Sequence, residues 1–467
     1  MKGNYIERFL VLYIPWGLAS LLQVDPVLSY FIAWFGSFII FYLSLSGWLV
    51  PLPADRPIAE QLMRPIFLVQ VIFAGYMAVT SIFYFLNLAG YFDLQKTNNA
   101  YILVDQQKLE LAVACQRYYV LGHAAFVTGI AAFMKYPVKK KYHVDKHKLA
   151  NTLLLVAIIT LASSSFFNRF QGLEQFSTQF TALSFMAGTL ALAFAIPLRK
   201  IWNTVFCIFL YLSNFYNALT SGYKEPIILS VLVLGVFLYP SYKKIVSVIF
   251  IPALLLLFAF LPAYNQLFRE SNWGGDVNAD QAYIMALNAT VKNASGNDTE
   301  WDFLVYRLSE IDMFTNYVQS TPASVDFYGF QLVKQAAIVI VPRIFWPSKP
   351  STEDLVMERV YDAGVVLKGS LVSAKPAFIV DTYLSGGAFG VFIGLFIYGA
   401  MVQLISLKAE QLFGGYILGT ALIFSGLFQI FWRGLSFEFL GNTVFWSYIS
   451  MFLIFRIFRA TGLLTKI

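Results

Sequence analysis

The sequence predicts an all-α polytopic membrane protein with about twelve transmembrane helices and one large extracytoplasmic insertion that contains short helices. Three observations support this prediction. Of the 467 residues, 58% are hydrophobic and only 13% are charged, against roughly 25% charged in a soluble globular chain. Apolar stretches near the length that crosses about 30 Å of hydrocarbon recur along the chain. A single polar region interrupts these stretches late in the sequence.

The transmembrane helices follow from hydropathy in chain order. The first comes after the basic start MKGNYIERFL and continues to Leu22 without a cleavage site of small residues, so we expect it to be retained. The stretch at 226–240 is short and the stretch at 376–406 is long, so tilt or a break is expected there. The further predicted helices lie near 27–50, 64–89, 109–134, 149–167, 176–197, 201–219, 226–240, 245–262, 376–406, 411–432 and 438–456.

The predicted organisation has three parts: helices 1 to 9 in 1–262, the insertion in 263–375, and helices 10 to 12 in 376–467. Orientation follows from KYPVKKKYHVDKHK at 135–148, whose six lysines should remain in the cytoplasm under the positive-inside rule. Both termini then face the cytoplasm and the insertion faces outward. The net charge of +7 is explained by anionic lipid headgroups, and we expect no nucleic-acid partner.

The insertion is expected to contain two apolar segments. Residues 301–320 have a helical apolar pattern and are predicted to form one amphipathic helix on the outer surface. Residues 331–341 are too short to cross the bilayer and are predicted to be re-entrant or interfacial. A later acidic run fits a solvated helix face and no calcium loop, so the sequence predicts no metal site. Its acidic residues are Glu353, Asp354, Glu358 and Asp362.

The segment VPRIFWPSKP at 341–350 is the sharpest local signature of the chain. Its prolines exclude a regular helix, so the backbone should form a fixed loop that presents Arg343 and Lys349 at the membrane edge. One interpretation is a loop anchored by Trp346, with its cations snorkelling to the interface. The other is a phosphate or pyrophosphate site, because the planar guanidinium of arginine matches phosphate oxygens.

This loop and the later segment KPAFIVDTYLSGGAFGVFIGLFIYG at 375–399 resemble the Wzy-type repeat-unit polymerases of bacterial O-antigen and exopolysaccharide synthesis. The resemblance covers roughly 341–399; elsewhere it depends on the hydropathy layout. Asp381 stands where the family usually has Glu, and Lys224 replaces an arginine in a shorter motif. The matching positions are Pro342, Arg343, Trp346, Pro347, Lys349 and Pro350, then Asp381, Tyr383, Gly387 and Gly390.

The resemblance implies a glycosyltransferase in the bacterial cytoplasmic membrane with its active site facing the periplasm or exterior. Its donor and acceptor would both be polyprenyl-pyrophosphate-linked oligosaccharides, with the lipid bilayer as the surrounding medium. A chain-length regulator protein is a further candidate partner. No cofactor is expected, and catalysis is expected to be independent of metal. The site would need cations on the leaving pyrophosphate and a base near the attacking hydroxyl.

The predicted catalytic residues are Asp381, Glu438 and Arg343, with the carboxylates preferred as bases because histidine is scarce. His123, in a predicted helix, fits hydrogen-bonded packing as well as catalysis. Arg117 is a costly charge within a helix, unless it snorkels to the headgroups. Glu310 and Asp312 are weaker candidates, because a surface ion pair with the preceding arginine also explains them. The predicted substrate-binding residues are Arg117, His123, Arg169, Lys224, Arg307, Trp346, Lys349, Tyr383 and Arg433.

Two alternatives remain open at this stage. An O-antigen-type ligase would use a similar donor and typically relies on a histidine in the large outer loop, where this chain has none. A multispan transporter or lipid-linked glycan flippase would be expected to have two related halves and broken helices. The missing histidine favours the polymerase over the ligase, and the single insertion favours it over a transporter. We also expect the insertion to fold back over the external helix ends, with Arg117, Arg343, Asp381 and Arg433 lining one pocket.

Overall fold

The computed structural model describes residues 5–92, 94–96, 105–144, 149–170, 174–222, 225–273, 277–293, 298–306, 308–343, 345–368 and 374–467. Helices account for most of these residues, which confirms the predicted all-α class. The strands of the described residues are each two residues long and form two antiparallel pairs. Strand β1 (Tyr91–Phe92) pairs with β2 (Gln95–Lys96), and β3 (Tyr142–His143) pairs with β4 (Thr465–Lys466).

The helices before the predicted insertion are numbered in chain order. They are α1 (Tyr5–Val11), α2 (Ile14–Leu21), α3 (Pro26–Leu45), α4 (Ile58–Gln61), α5 (Pro65–Val69), α6 (Tyr76–Thr80), α7 (Ile82–Leu88), α8 (Gln106–Ala132), α9 (Leu149–Phe167), α10 (Glu174–Ala195), α11 (Ile201–Leu219), α12 (Glu225–Leu238), α13 (Lys243–Ile245) and α14 (Ile251–Trp273). A π-helical turn at Gln70–Gly75 joins α5 to α6, and another at Val246–Phe250 joins α13 to α14.

The remaining helices belong to the predicted insertion and the final membrane segments. They are α15 (Ala279–Asn293), α16 (Asp298–Tyr306), α17 (Ile311–Ser320), α18 (Gln331–Ile340), α19 (Thr352–Asp362), α20 (Phe378–Leu412), α21 (Ser425–Leu427), α22 (Ile430–Arg433) and α23 (Phe437–Ala460). A third π-helical segment at Ile417–Phe424 precedes α21. Helix α14 runs to Trp273, past position 262, where the sequence placed the start of the insertion.

Within the described part of the chain, six helical segments are long and apolar enough to cross a membrane. The chain is therefore a helical membrane protein by composition and length of its helices. The number of twelve spans stays a prediction. The six segments are Pro26–Leu45, Pro65–Leu88, Leu149–Phe167, Phe176–Ala195, Phe378–Leu412 and Phe437–Ala460.

Glycines bring α8 and α20 into close contact. A Cβ at position 129 would lie 2.1 Å from the carbonyl oxygen of Phe396, and a Cβ at position 399 would lie 2.1 Å from that of Phe126. Small residues allow helix backbones to approach closely within a membrane. This crossing fixes α20, which carries Asp381 near its start, against α8.

One end of the bundle gathers the segments that were predicted to face the cytoplasm. The strand β3, from the lysine-rich segment, pairs with β4 at the C-terminus. Arg56 donates hydrogen bonds to both carboxylate oxygens of Glu410 at 3.0 and 3.1 Å, and the guanidinium of Arg64 lies 3.8 Å from the ring centroid of Tyr136. Segments that are far apart in sequence therefore share this end.

At the opposite end, α16 and α17 pack over α7 and α8, as expected for the insertion. The Trp301 indole donates to Asn87 Oδ1 at 3.1 Å, and the Tyr119 hydroxyl donates to the Ser309 carbonyl at 3.1 Å. The single helix predicted for 301–320 is wrong, because α16 and α17 are separate. Glu310 has φ of +55° immediately before α17, a left-handed conformation that cannot continue a helix.

Helices α18 and α19 form a helical hairpin on α23. Helix α18 runs beside the first half of α23 in the same direction: a side chain added at Gly441 would touch the methyl group of Ala336 at 3.6 Å, and the Trp446 indole donates to the Ile340 carbonyl at 3.1 Å. Helix α19 then returns to the start of α23. The loop that joins α18 to α19 is the proline-rich segment 341–350.

Candidate functional site

Three buried charged side chains meet where α19, α20 and α23 converge. The guanidinium of Arg359 donates from Nε and Nη2 to Asp381 at 2.9 and 2.9 Å, and from Nη1 and Nη2 to Glu438 at 2.9 and 2.7 Å. Nη1 also donates to the Leu355 carbonyl at 3.2 Å. All five N–H groups of Arg359 are thereby used. The side chain of Arg359 is 1% exposed, and those of Asp381 and Glu438 are 0% exposed. This ionic cluster is therefore closed to solvent.

The ionic cluster carries two carboxylates and one guanidinium, so its formal charge is −1. Burial alone lowers the pKa of Arg359, but the charges and hydrogen bonds of Asp381 and Glu438 raise that pKa above its usual range. The guanidinium therefore stays charged at any physiological pH. Buried pairs of this kind depend on their partners, because the loss of one partner leaves an uncompensated charge in the interior.

Backbone pairing ahead of two helices sets Asp381 beside Glu438. Ala377 and Leu435, each just before a helix, form an antiparallel bridge. Asp381 Oδ2 then accepts a hydrogen bond from the backbone N–H of Phe437 at 2.8 Å. Ser436, the residue before α23, makes no capping bond with its side chain. Asp381 therefore satisfies the start of α23 from another helix, where a negative charge is favoured.

Two glycines allow the first turns of α20 to fold against the turns that follow. Gly387 has φ of 59° and ψ of −140°, a region that residues with a side chain avoid. A Cβ at Gly390 would lie 2.1 Å from the carbonyl oxygen of Thr382. The predicted break in the long stretch at 376–406 is thus located at Gly386–Gly387. Both glycines of the sequence motif are required by this turn, which aims Asp381 at α23.

Tyr383 attaches the insertion to the start of α20. Its hydroxyl donates to the carbonyl of Thr321 at 2.7 Å, and the Tyr328 N–H donates to the Leu384 carbonyl at 2.9 Å. The Tyr383 ring also packs against Phe314, with the ring centroids 5.6 Å apart. The predicted substrate-binding residue Tyr383 is therefore buried and holds the segment after α17 in place.

A narrow cleft beside the ionic cluster has no room for a water molecule. The Tyr317 side chain forms part of its wall, and its hydroxyl has no hydrogen-bond partner among the described residues. Burial raises the pKa of Tyr317, so the hydroxyl stays protonated. At the mouth of the cleft, Tyr328 donates to the exposed Asp362 at 2.9 Å. The lining residues are Tyr317, Ser320, Thr321, Val325, Tyr328, Arg359, Asp362, Ala363 and Leu384.

The proline-rich loop separates its two cations. Arg343 is exposed, whereas Lys349 is buried and donates to the carbonyls of Val339 at 2.9 Å and Val341 at 2.7 Å. These carbonyls lie at the end of α18, where helices leave acceptors unpaired. Burial lowers the pKa of Lys349, and the nearby charge of Arg343 lowers it further. Lys349 fixes the loop, and Arg343 and Trp346 remain exposed at the surface.

Arg117 and His123 lie in α8 with partners in neighbouring helices. Arg117 Nη1 donates to Ser29 Oγ at 3.2 Å, so this charge faces α3. His123 is 1% exposed, and its Nε2 lies 3.0 Å from the amide nitrogen of Gln70. The Gln70 amide is the donor in a contact of this kind when the imidazole proton is on Nδ1. The buried, hydrogen-bonded position of His123 therefore fits a packing role better than the role of an exposed base.

The other predicted residues are distributed over the chain. Arg433 ends α22 and is partly buried, four residues before α23. Arg169 is exposed just after α9. Arg307 and Lys224 lie outside the described residues. The four residues expected to line one pocket do not line the cleft beside Arg359. They are Arg117, Arg343, Asp381 and Arg433. Their proposed roles stay predictions.

Sequence reasoning missed Arg359 and Tyr317. Arg359 was passed over because it stands among acidic residues that indicate a solvated helix face. Its position three residues after Val356 and next to Val360, on the apolar face of α19, is the signal in the sequence that indicates its burial. Tyr317 lies in a helix with a strong apolar face, where a tyrosine reads as ordinary core.

The described residues contain no group of three or more His, Cys, Asp or Glu side chains placed to hold a metal ion. The fold and site define a helical membrane protein that buries an Arg–Asp–Glu cluster between a helical hairpin and two membrane helices. The chain matches a family model described as "Domain of unknown function (DUF8712)" over residues 14–466, and it belongs to that family. Searches of curated proteins and of solved structures found no match.

Proposed function

We propose that this protein is an extracytoplasmic glycosyltransferase that joins polyprenyl-pyrophosphate-linked oligosaccharide units, a polysaccharide repeat-unit polymerase. One observation supports this proposal best. The two sequence motifs that resemble the polymerase family belong to one assembly, because α19 follows the proline-rich loop and its Arg359 is paired with Asp381 of the second motif. The glycines of that motif make the turn on which this pairing depends.

In the proposed reaction, a sugar hydroxyl of the acceptor attacks the anomeric carbon of the donor sugar. The bond from this carbon to the pyrophosphate oxygen breaks, the polyprenyl pyrophosphate leaves, and a base takes the hydroxyl proton. We assign Arg343 to the leaving pyrophosphate, because it is exposed on a loop fixed by Lys349. Phosphate near a guanidinium is stabilised by paired, charge-assisted hydrogen bonds.

Asp381 and Glu438 are the proposed carboxylates of the site. Both already accept hydrogen bonds from Arg359 and are closed to solvent. Either could act as the base only after Arg359 releases it when substrate binds. Along α23, Glu438 precedes Trp446, which contacts the end of α18, by about 12 Å of helix rise. A base must lie within reach of the hydroxyl that attacks the carbon bearing the pyrophosphate, so Asp381 or Glu438 can be the base only if substrate binding brings the Arg343 loop towards them.

The proposed topology has twelve spans, both termini in the cytoplasm of a bacterium, and the insertion outside its cytoplasmic membrane. Two groups of contacts support it. The contact between Arg56 and Glu410 and the pairing of β3 with β4 join segments assigned to the cytoplasm. The contacts of Trp301 with Asn87 and of Tyr119 with Ser309 join segments assigned to the outside.

The test is deletion of the chromosomal gene followed by electrophoresis of surface polysaccharide. A polymerase deletion should leave glycan of a single repeat unit, and a plasmid copy should restore the ladder of longer chains. A ligase deletion would instead leave long chains that stay on the lipid carrier, and loss of a flippase would leave single units on the cytoplasmic side. An unchanged ladder in the deletion strain would rule out the polymerase.

A further inference from the structure

Helix α18 lies beside the first half of a helix of membrane-crossing length. Helix α23 has 24 residues, about 36 Å of helix rise, and is apolar enough to cross a membrane. The hydrogen bond from Trp446 to the Ile340 carbonyl places the end of α18 about 13 Å from the start of α23. With α23 centred on about 30 Å of hydrocarbon, the end of α18 lies about 10 Å below the hydrocarbon edge.

The sequence of α18 changes from polar to apolar in the direction of that descent. Its polar residues are Gln331, Lys334 and Gln335, all in its first half. Residues 336–341 (AAIVIV) are entirely apolar. In the loop that follows, Phe345 is 78% exposed. A segment that enters a bilayer from its surface has this order, because polar side chains belong at the headgroups and apolar ones in the hydrocarbon.

The exposed face of α23 begins at the depth where the hairpin ends. Residues 437–444 are all buried or partly buried. From there on, α23 exposes large apolar side chains, among them Phe445, Ile449 and Leu453. Exposed apolar residues on a membrane-crossing helix face lipid. The hairpin therefore takes the place of lipid along the first half of α23 and ends where the lipid-facing half begins.

The loop 341–350 uses its own groups to satisfy its backbone. Three of its residues are prolines, which have no N–H, and the N–H groups of Phe345 and Trp346 donate to the Pro342 carbonyl at 3.0 and 3.2 Å. The carbonyls at the end of α18 accept from the side chains of Lys349 and Trp446. Water would serve these carbonyls at an exposed helix end, whereas within a bilayer the protein must supply the partners.

The acidic residues of α19 are compatible with this depth. Glu358 is next to the arginine that binds Glu438 at the start of α23, so it lies at the membrane surface. Asp354 lies about 6 Å deeper, near the headgroup layer, and Glu353 is partly buried. The exposed charge that goes deeper is Arg343, whose long side chain can snorkel back towards the headgroups.

We propose that the hairpin of α18 and α19 is re-entrant: it enters the outer leaflet beside α23, and its tip binds the hydrocarbon chains of lipids through Val341, Phe345 and Trp346. The loop 341–350 then lies inside the leaflet, deeper than the membrane edge expected from the sequence. The inference does not depend on the proposed enzymatic activity. Under that activity, the chain of a polyprenyl-linked donor would meet the loop without leaving the bilayer.

The test is spin labelling of the full chain in lipid nanodiscs, in a background without Cys115 and Cys207. Phe345→Cys carries the label at the tip, and Asp326→Cys carries it on the exposed segment before α18. Leu453→Cys, on the exposed face of α23, is the matched lipid-facing control. Oxygen concentrates in hydrocarbon, so its collisions should exceed those of a water-soluble nickel chelate severalfold at positions 345 and 453. The ratio should reverse at position 326.

Val341→Cys is a second probe of the same depth, and variants are compared at a wild-type thermal midpoint. It should give the same excess of oxygen collisions as position 345. A nickel chelate that collides more often than oxygen at 345 and 341 would place the hairpin in water. Protection of both positions from both reagents would mean that protein, such as a second copy of the chain, covers the tip. Either result overturns the inference.

Discussion

Replacement of Arg359 with methionine should strongly destabilise the protein. The substitution removes the guanidinium that Asp381 and Glu438 share and leaves two carboxylates that are 0% exposed. Breaking a buried pair by removing one partner costs about 3–5 kcal/mol, whereas an exposed pair is worth roughly 0–1 kcal/mol. With both carboxylates stranded, we expect the free energy of unfolding to fall by about 3–5 kcal/mol.

The measurement is denaturant unfolding in detergent micelles, followed by the fluorescence of the nine tryptophans. Arg343→Met is the matched control, because it deletes the same charge from an exposed position and should change stability by less than about 0.5 kcal/mol. In the triple variant Arg359→Met, Asp381→Asn, Glu438→Gln, no buried charge remains. It should recover much of the loss, since a neutral replacement of a buried ion pair is often tolerated.

Two results would refute this reasoning. Arg359→Met within about 1 kcal/mol of wild type would mean that the ionic cluster is not closed to solvent in the membrane protein. A triple variant no more stable than Arg359→Met would mean that lost packing, and not uncompensated charge, causes the destabilisation. Arg359→Lys adds an intermediate case, because its three donors cannot replace the five that Arg359 uses.

Three further predictions concern the loop, the turn and the topology. Arg343→Lys should keep the protein level and stability but shorten the polysaccharide ladder, because it loses the planar fork for pyrophosphate; a normal ladder would contradict the assignment. Gly387→Val should lower stability by about 1–3 kcal/mol because of its φ of 59°. Gly17→Ala, at a helical position with open space around it, should leave stability unchanged or raise it by up to about 1 kcal/mol. In a background without Cys115 and Cys207, Gln281→Cys should react with a membrane-impermeant maleimide in intact spheroplasts. Lys139→Cys should react only after permeabilisation, and the reverse pattern would invert the proposed orientation.

Local pattern was sufficient for the helices whose apolar residues form long stretches. Hydropathy predicted the helix at 149–167 with its observed bounds and the starts of the helices at 27–50 and 438–456 to within one residue, because burial in lipid requires an uninterrupted apolar run. In the structure, capping side chains fix two helix starts that hydropathy alone places less sharply. The side chain of Asp25 accepts from the N–H of Leu28 at the start of α3, and Asp105 does the same at the start of α8.

Local pattern failed where backbone geometry interrupts a continuous apolar face. The apolar spacing of 301–320 is that of one helix, but α16 ends at Tyr306 and the left-handed Glu310 keeps α17 separate from it. The two helices then pack on different neighbours. The end of α14 was also misplaced, since Pro262 was taken as a boundary and the helix continues to Trp273. Tertiary packing decided where α14 and α16 end, because most of the stability of a helix in a protein comes from the packing of its apolar face against its neighbours.

The sequence by itself determined that the chain is helical and membrane-embedded, and it singled out Asp381, Glu438 and Arg343 as residues of interest. The tertiary structure alone decided which of these meet. Asp381 and Glu438 join through Arg359, which is 79 residues from Glu438 along the chain, while Arg343 remains exposed at the far end of the hairpin. The physical reason is that spacing along a sequence shows which residues share one face of one helix. The ion pairs of Arg359 with Asp381 and Glu438 instead join three different helices. Only the packing of α19 against α20 and α23 brings those faces together.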